Sequence, residues 1–220
     1  MKNDNEGLVK TEFDFKWKKW DKKPAYVELA LENQKGDILD VGCATCQIYE
    51  FLKENGWDNE YFGSDLEKYS TYKYPESVKL IIGDATKVDF PNVDTVLLYN
   101  ILEHVDDPVN LLKKSLNACK KNVLIHVPLR NEEMWEKGVI EWHQLDKTHK
   151  HCGFTIDELY KIVERSRGKI KKFEKLDPRN AIIGISLWNN PIPKIIFVLL
   201  SKIFSSNQFY DSIWIEIIKK

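Results

Sequence analysis

Short apolar runs of strand length recur along the chain: Asp37 to Val41, Tyr61 to Ser64, Val78 to Ile82, Thr95 to Tyr99 and Asn122 to Val127. Between them the spacing turns helical. Ile48, Phe51 and Leu52 stop at Asn55-Gly56, which reads as a C-cap, and Val109, Leu112, Leu116 and Cys119 follow Asp107-Pro108, an N-cap with proline in the first helical position. Runs that are apolar on both faces and alternate with helices predict a parallel sheet, because each parallel crossover needs a connection of about a dozen residues, usually helical. The expected class is α/β. Ahead of this unit, Pro24 to Glu32 reads as a helix preceded by an aromatic and basic arm, Phe13 to Trp20, whose Trp17 and Trp20 suit a flap packed on the domain. After the fifth run come a polar and aromatic segment, Pro128 to Gly153, and a helix with a capping box, Thr155 and Glu158, and an apolar stripe of Ile156, Leu159, Tyr160 and Val163. Lys169 to Leu176 and Ser212 to Ile218 read as two further strands, with an insertion, Asp177 to Asp211, between them.

The first strand ends in Ile38-Leu-Asp-Val-Gly-Cys-Ala-Thr-Cys46 and runs directly into a helix. Small residues in such a turn let the backbone approach a ligand, and the helix start offers unpaired N–H groups. One glycine there is common to most α/β chains, so the acids carry more weight. Asp65 follows the second strand, 25 residues beyond Asp40, and Asp84 follows the third. Residues just past successive parallel strands gather along one edge, where ligands settle at the switch point of strand order. Carboxylates at that edge suit a ligand with vicinal hydroxyls and amines, each a donor that needs an acceptor.

Asp40-x-Gly42-Cys-Ala-Thr-Cys46, Ser64-Asp65-Leu66, Gly83-Asp84-Ala85 and Asn100-Ile-Leu-Glu-His-Val105 resemble, in order and spacing, the motifs of the class I S-adenosylmethionine-dependent methyltransferases, most of all the small-molecule branch often labelled type 11. The resemblance runs from about Gly36 to Val163. It implies a Rossmann-like sheet of seven strands, mostly parallel with the last antiparallel, and helices on both faces. It also implies S-adenosylmethionine as cofactor and S-adenosylhomocysteine as its product. Carried over residue by residue, it gives the methionine part to the turn of Asp40, Gly42, Cys43 and Ala44, and the ribose hydroxyls to Asp65, with Leu66 beside it. Asp84 and Ala85 take the adenine, and Asn100, Ile101 and His104 the region beside the sulfonium.

One departure stands out. The family writes Gly-x-Gly-x-Gly, and here the second and third glycines are Ala44 and Cys46. Either Cys46 points away from the cofactor or the pocket is altered. The rival reading of Cys43-x-x-Cys46 is a redox pair whose thiolate the helix start would favour. Thioredoxin-like folds, however, are smaller and have no use for Asp65 and Asp84 at those places.

Three of the five histidines fall within His143-Gln-Leu-Asp-Lys-Thr-His-Lys-His151. The segment resembles the loop Asp-x-Thr-His-x-x-x-Phe-Thr of many of these methyltransferases, which leads into the helix after the fifth strand and closes over the acceptor. Asp146, Thr148, His149 and Phe154-Thr155 match it with one residue extra, which leaves His149 and His151 both in contention for the inward position. Methyl transfer from a sulfonium is an in-line displacement, and a hydroxyl acceptor must also lose a proton. A neutral imidazole suits that task near pH 7. His149 or His151, with His143 nearby in sequence and Asp146 or Glu141 as orienting acid, forms the candidate catalytic set; the alternative is a loop held together structurally by these histidines. Zinc on His143, His149, His151 and Cys152 fits no familiar finger spacing, so no metal is expected. His104 reads as shaping the cofactor pocket, and His126 as a core histidine satisfied by backbone.

Composition narrows the partners. Of 220 residues 43% are hydrophobic, and 33 basic residues nearly cancel 34 acids to a net charge of -1, which excludes wholesale disorder and gives no general attraction to duplex nucleic acid. RNA is correspondingly less attractive as an acceptor, although Lys16 to Lys23 form a local basic patch. Four cysteines are too few for a disulfide framework, and Met1 to Lys10 lacks a secretory apolar stretch, so a cytoplasmic location is expected. Pro178 to Tyr210 holds no Asp or Glu, where the chain average predicts about five. Within it Pro193 to Phe204 shows an apolar face of Ile195, Ile196, Leu199, Leu200 and Ile203, suited to a lid over the acceptor, a homodimer contact or a peripheral membrane contact at the inner surface.

The expectation is therefore one methyltransferase domain over 1–220, with an N-terminal flap at 1–35 and a lid at 177–211. The expected reaction is O-methylation of a small molecule, with Trp135, Trp142 and Trp188 inclining the acceptor toward a sugar or lipid-linked glycan. N-methylation of a small amine or protein side chain, and a non-catalytic module that binds the cofactor, are the alternatives.

Overall fold

The computed structural model describes residues 24–70, 72–132, 136, 146–180 and 208–220, with side-chain surroundings for all of these except 178–180, 208 and 209. Most of the N-terminal flap, including Trp17, Trp20 and the basic run, lies outside the described residues. So do Trp135, Glu141, Trp142, His143 and the body of the insertion with Trp188 and the Pro193 to Phe204 face.

Seven strands form one sheet: β1 (Ile38–Val41), β2 (Tyr61–Asp65), β3 (Val78–Ile82), β4 (Val93–Tyr99), β5 (Cys119–Pro128), β6 (Gly168–Asn180) and β7 (Gln208–Lys219). Their order is β3-β2-β1-β4-β5-β7-β6. β1 to β5 pair in parallel, and β7 runs antiparallel between β5 and β6. This is the expected class and sheet. The order reverses between β1 and β4, which makes the mouth above that pair the switch point.

Among the described residues four α-helices cover the two faces: α1 (Ala25–Asn33), α2 (Gln47–Glu54), α3 (Pro108–Ala118) and α4 (Ile156–Arg165). Alternation along the central strands sorts the core into two layers. Leu39, Val41, Val96, Leu98, Val123 and Ile125 pack with Leu111, Leu112, Leu159 and Val163 of α3 and α4. Ile38, Leu97, Tyr99 and Leu124 pack with Leu29, Ala30, Ile48 and Leu52 of α1 and α2, around the fully buried Trp214 of β7. Burial of both strand faces is what made these runs read as apolar throughout.

The caps follow the sequence. Asp107 Oδ1 accepts from the Asn110 N–H at 3.0 Å, Gly56 closes α2 at φ 82°, and Thr155 with Glu158 forms a full capping box. Two boundaries differ. Cys119 is the first residue of β5 rather than the end of α3, because it takes extended backbone and pairs with Val93. The last two strands also reach further than expected, pairing Pro178 with Tyr210 and Asn180 with Gln208, so both ends of the insertion are strand. Polar residues there pair through the backbone ladder, which an apolar pattern does not register. No helix among the described residues is long and apolar enough to cross a membrane.

Candidate active site

The turn after β1 is held in shape by the strand beside it. The N–H groups of Gly42 and Cys43 donate to the Ser64 carbonyl at 2.7 and 3.1 Å, and the Ala44 N–H donates to Asp65 Oδ2 at 2.8 Å. Gly42 takes φ 79°, and a Cβ there would meet Ile101 Cδ1 at 3.1 Å, so the turn is seated directly against the residues that follow β4. Ala44 and Cys46 take φ 45° and 58°. These are the left-handed positions that a glycine fills without cost, and the two side chains occupy them at about 1–2 kcal/mol each.

The departure at Cys46 resolves in this geometry. Its side chain is fully buried in the α1–α2 layer, and a Cβ on Gly63 of β2 would stand 2.8 Å from Cys43 Sγ and 3.3 Å from Cys46 Sγ. Both thiols therefore point down into the space that Gly63 leaves open. The hydrogen bond with Cys46 and burial push the Cys43 thiol up, which opposes the thiolate that redox chemistry needs.

Asp40 is buried and accepts from the Tyr61 hydroxyl, and burial pushes its carboxyl up to about 7. Asp65 binds the Ala44 N–H through one oxygen and the Leu66 N–H through the other at 2.7 Å, and burial raises it above the usual carboxylate range. Leu66 itself is largely exposed at the mouth. Asp84 accepts from the Thr86 hydroxyl at 2.7 Å and the Thr86 N–H at 2.9 Å and pairs with Lys87 at 3.0 Å, which together hold it down at about 2. It organises the turn that carries Ala85, and Lys114 of α3 donates to the Ala85 carbonyl at 2.8 Å. Asp40, Asp65 and Asp84 thus stand at successive strand ends, as the spacing predicts.

The same edge carries buried polar atoms with no hydrogen-bond partner among the described residues: Thr45 Oγ1, Gln47 Oε1 and Ser64 Oγ. A group rich in donors and acceptors, seated against the start of α2, fits these residues.

Past β4, Asn100 takes φ 52° and its Oδ1 lies 2.9 Å from His126 Nδ1. His126 is therefore tied to a side chain rather than to backbone, and burial holds its imidazole down at about 4. A 3-10 turn, Leu102–His104, follows Ile101. Glu103 is 1% exposed, its Oε2 has no partner among the described residues, and burial pushes its carboxyl up to about 8. Its carbonyl receives the N–H groups of Lys150 and His151 at 2.8 and 3.0 Å, which fastens the histidine loop to this turn.

That anchoring sorts the histidines. His149 turns inward, with its side chain 5% exposed, its Nε2 3.7 Å from Asp146 Oδ2 and its Nδ1 without a partner among the described residues. Its ring stands edge-on to His104, centroids 4.6 Å apart. His104 Nδ1 lies 3.3 Å from the Thr148 carbonyl and 3.2 Å from the Thr148 hydroxyl, and burial, then His149, lowers its basicity. Thr148 also donates to Asp146 through its N–H and hydroxyl, at 2.8 and 2.6 Å. His151 faces elsewhere: its Nε2 lies 3.1 Å from the Val105 carbonyl, and its ring lies against Phe154 in a groove of about 520 Å³ between α3 and α4. The structure thus brings together Glu103, His104, Asp146, Thr148 and His149. Glu103 falls within the Asn100 to Val105 motif but was given no role of its own, because a buried, unpaired carboxyl leaves no mark on a sequence.

Comparisons with known proteins bear on this site. The family model described as a methyltransferase domain matches residues 17–166. Comparison with curated proteins finds no match. Among solved structures, a SAM dependent methyltransferase from Archaeoglobus fulgidus is similar at 19% identity, with 89% of this chain and 92% of that one covered and a TM-score of 0.61. Magnesium protoporphyrin IX methyltransferase from Synechocystis PCC 6803, with bound SAH, is 14% identical over 89% of this chain and 80% of that one at a TM-score of 0.57. A cyclopropane synthase from Mycobacterium tuberculosis is 14% identical over 89% and 83% at 0.59. At these identities the likeness is one of fold.

Proposed function

This chain belongs to the methyltransferase domain family, and from that premise we propose that it methylates a hydroxyl of a small molecule, a sugar or lipid-linked glycan, using S-adenosylmethionine. Bound donor supplies an electrophilic methyl whose C–S bond breaks as the new O–C bond forms. Asp65 accepts from the ribose hydroxyls with the lone pairs that Ala44 and Leu66 leave free, and the Gly42 to Cys46 turn takes the methionine part. Asp84 and Ala85 border the adenine, and Asn100 and Ile101 border the reacting methyl. The observation that carries the hydroxyl reading is His149: an inward imidazole with an unpartnered nitrogen, fixed by Asp146 and Thr148 on a loop bonded to the residues just past Asn100 and Ile101. A hydroxyl is the acceptor that needs such a group, because it must lose a proton as the methyl arrives. His151, bonded to Val105, holds the loop in place.

The test is transfer from radiolabelled donor into separated glycan, lipid, RNA and protein fractions. Label is expected on oxygen of a glycan or lipid-linked glycan, and His149→Ala is expected to slow transfer by about 100-fold to 10,000-fold while adenosylhomocysteine affinity stays within twofold. Label on nitrogen, or a His149→Ala enzyme within a few-fold of the parent, would overturn the reading.

A further inference from the structure

We infer that Glu103, His104 and His149 bind a divalent transition-metal cation, and that the acceptor hydroxyl is presented to the methyl on that ion. This deepens, and rests on, the hydroxyl reading above. One ligand atom from each of these three residues lies within 4.8 Å of the other two. An ion about 2.0–2.1 Å from nitrogen and oxygen ligands holds them about 3–4 Å apart, so small side-chain rotations complete the shell.

Three independent features point to an ion rather than to a chance grouping. The first is Glu103. A carboxyl that is 1% exposed with an oxygen lacking a partner costs folding energy unless it keeps its proton or a positive charge faces it, and no Lys or Arg among the described residues makes an ion pair with it. The second is the unpartnered, buried Nδ1 of His149. The third is how each imidazole is oriented. The far nitrogen of His149 faces the Asp146 carboxylate at 3.7 Å, and Nδ1 of His104 faces the Thr148 carbonyl at 3.3 Å, which leaves Nδ1 of His149 and Nε2 of His104 for the ion. An acceptor behind each ligating histidine is the outer-shell arrangement that fixes tautomer and direction in metal sites.

Two imidazoles and one carboxylate suit Zn²⁺, Fe²⁺ or Mn²⁺ better than Mg²⁺ or Ca²⁺, which prefer all-oxygen shells. Three protein ligands leave at least one position open, the pattern of a catalytic rather than a structural site. The acceptor oxygen binds there, and its O–H is polarised so that the proton passes to solvent water. The oxygen lone pair then forms the O–CH3 bond, the C–S bonding pair returns to sulfur, and adenosylhomocysteine and the ether are the products. His149 thus promotes the loss of the hydroxyl proton as a ligand to the ion rather than by taking the proton on its own nitrogen, and Asp146 positions it. The site differs from the Cys- and His-containing set within 143–152, because Glu103 and His104 come from the 3-10 turn that follows β4.

The experiment uses the full untagged chain, stripped with chelator and titrated calorimetrically with ZnCl₂, and separately with MnCl₂ followed by electron paramagnetic resonance. One ion per chain is expected at micromolar affinity or tighter. Glu103→Gln, His104→Asn and His149→Ala should each weaken it tenfold or more, while adenosylhomocysteine binding by Glu103→Gln and His149→Ala, measured on the same samples, stays within twofold. That second titration certifies that these two variants are folded, thermal unfolding does so for His104→Asn, and the isosteric Glu103→Gln serves if another variant is not. No binding of either ion by the parent, or unchanged binding by all three variants, overturns the cation site and leaves the hydroxyl reading to its own test. An ion bound with label found on nitrogen sustains the site and overturns the acceptor assigned to it.

Discussion

Replacing Gly63 by alanine puts a methyl group where two thiols already sit. The backbone of β2 accepts alanine, since Gly63 is not among the residues with positive φ, so the cost is steric. The new Cβ would lie 2.8 Å from Cys43 Sγ, 3.3 Å from Cys43 Cβ and 3.3 Å from Cys46 Sγ, against an ordinary contact of about 3.5–4.0 Å. The Cys43 thiol has a single torsion through which to escape, and its Cβ moves only with the turn itself. Overpacking of this kind costs about 1–3 kcal/mol, or a fall in melting temperature of about 2–12 °C for a chain of this size. Because the displaced residues carry the Ala44 N–H that Asp65 holds, adenosylhomocysteine affinity should fall about tenfold as well, the equivalent of about 1.4 kcal/mol. Thermal and urea unfolding read the first effect and calorimetry the second. Cys43→Ala in the same chain removes the nearest atom and should recover about 1 kcal/mol of coupling. A Gly63→Ala variant within 0.5 kcal/mol of the parent, or strictly additive costs in the double variant, would refute this account of how the thiols are accommodated.

Asp40 gives stability a pH dependence of unusual sign. Its carboxyl is held near 7 in the folded chain, against 3.8 ordinarily, so the native state binds the proton more tightly, and stability is fully present below about 4 and is lost as pH rises through 7. Asp40→Asn should therefore flatten the fall in unfolding free energy between pH 4 and 7 by an amount on the order of a few kcal/mol; parallel curves for parent and variant would contradict it. At the start of α4, Thr155 accepts from the Glu158 N–H at 3.2 Å while Glu158 accepts from the Thr155 N–H at 2.9 Å. Thr155→Ala should cost about 1 kcal/mol in urea unfolding, and a smaller loss for Thr155→Ser would identify the hydroxyl as the cause.

The sheet was legible because its physics is local and repetitive. Ile38 to Val41 and Val93 to Tyr99 are strands whose central members are buried on both faces, and Asp107-Pro108 and Thr155 with Glu158 mark helix starts through backbone chemistry that four residues encode. The ends of β6 and β7 were not legible, because Pro178, Asn180 and Gln208 carry no strand signature and are strand only through their partners. At the site, the acids after β1, β2 and β3 could be placed from spacing alone, since topology fixes where strand ends meet. The direction of Cys46 could not, because it depends on Gly63, 17 residues away and glycine for reasons visible only across the pair. His149 and His151 were indistinguishable in sequence. Two backbone hydrogen bonds to the Glu103 carbonyl decide between them by setting the phase of the loop.

The central claim is that the edge above β1 and β4 is a nucleoside-binding cleft governed by Asp65. Calorimetric titration of the full chain with adenosylhomocysteine tests it most directly, alongside Asp65→Ala, which deprives the Ala44 and Leu66 N–H groups of charge-assisted hydrogen bonds worth about 1.5–3 kcal/mol each. The account predicts one site per chain at micromolar affinity and a loss of at least 100-fold in the variant. No heat from the parent at millimolar titrant, or equal affinity in both proteins, would contradict it.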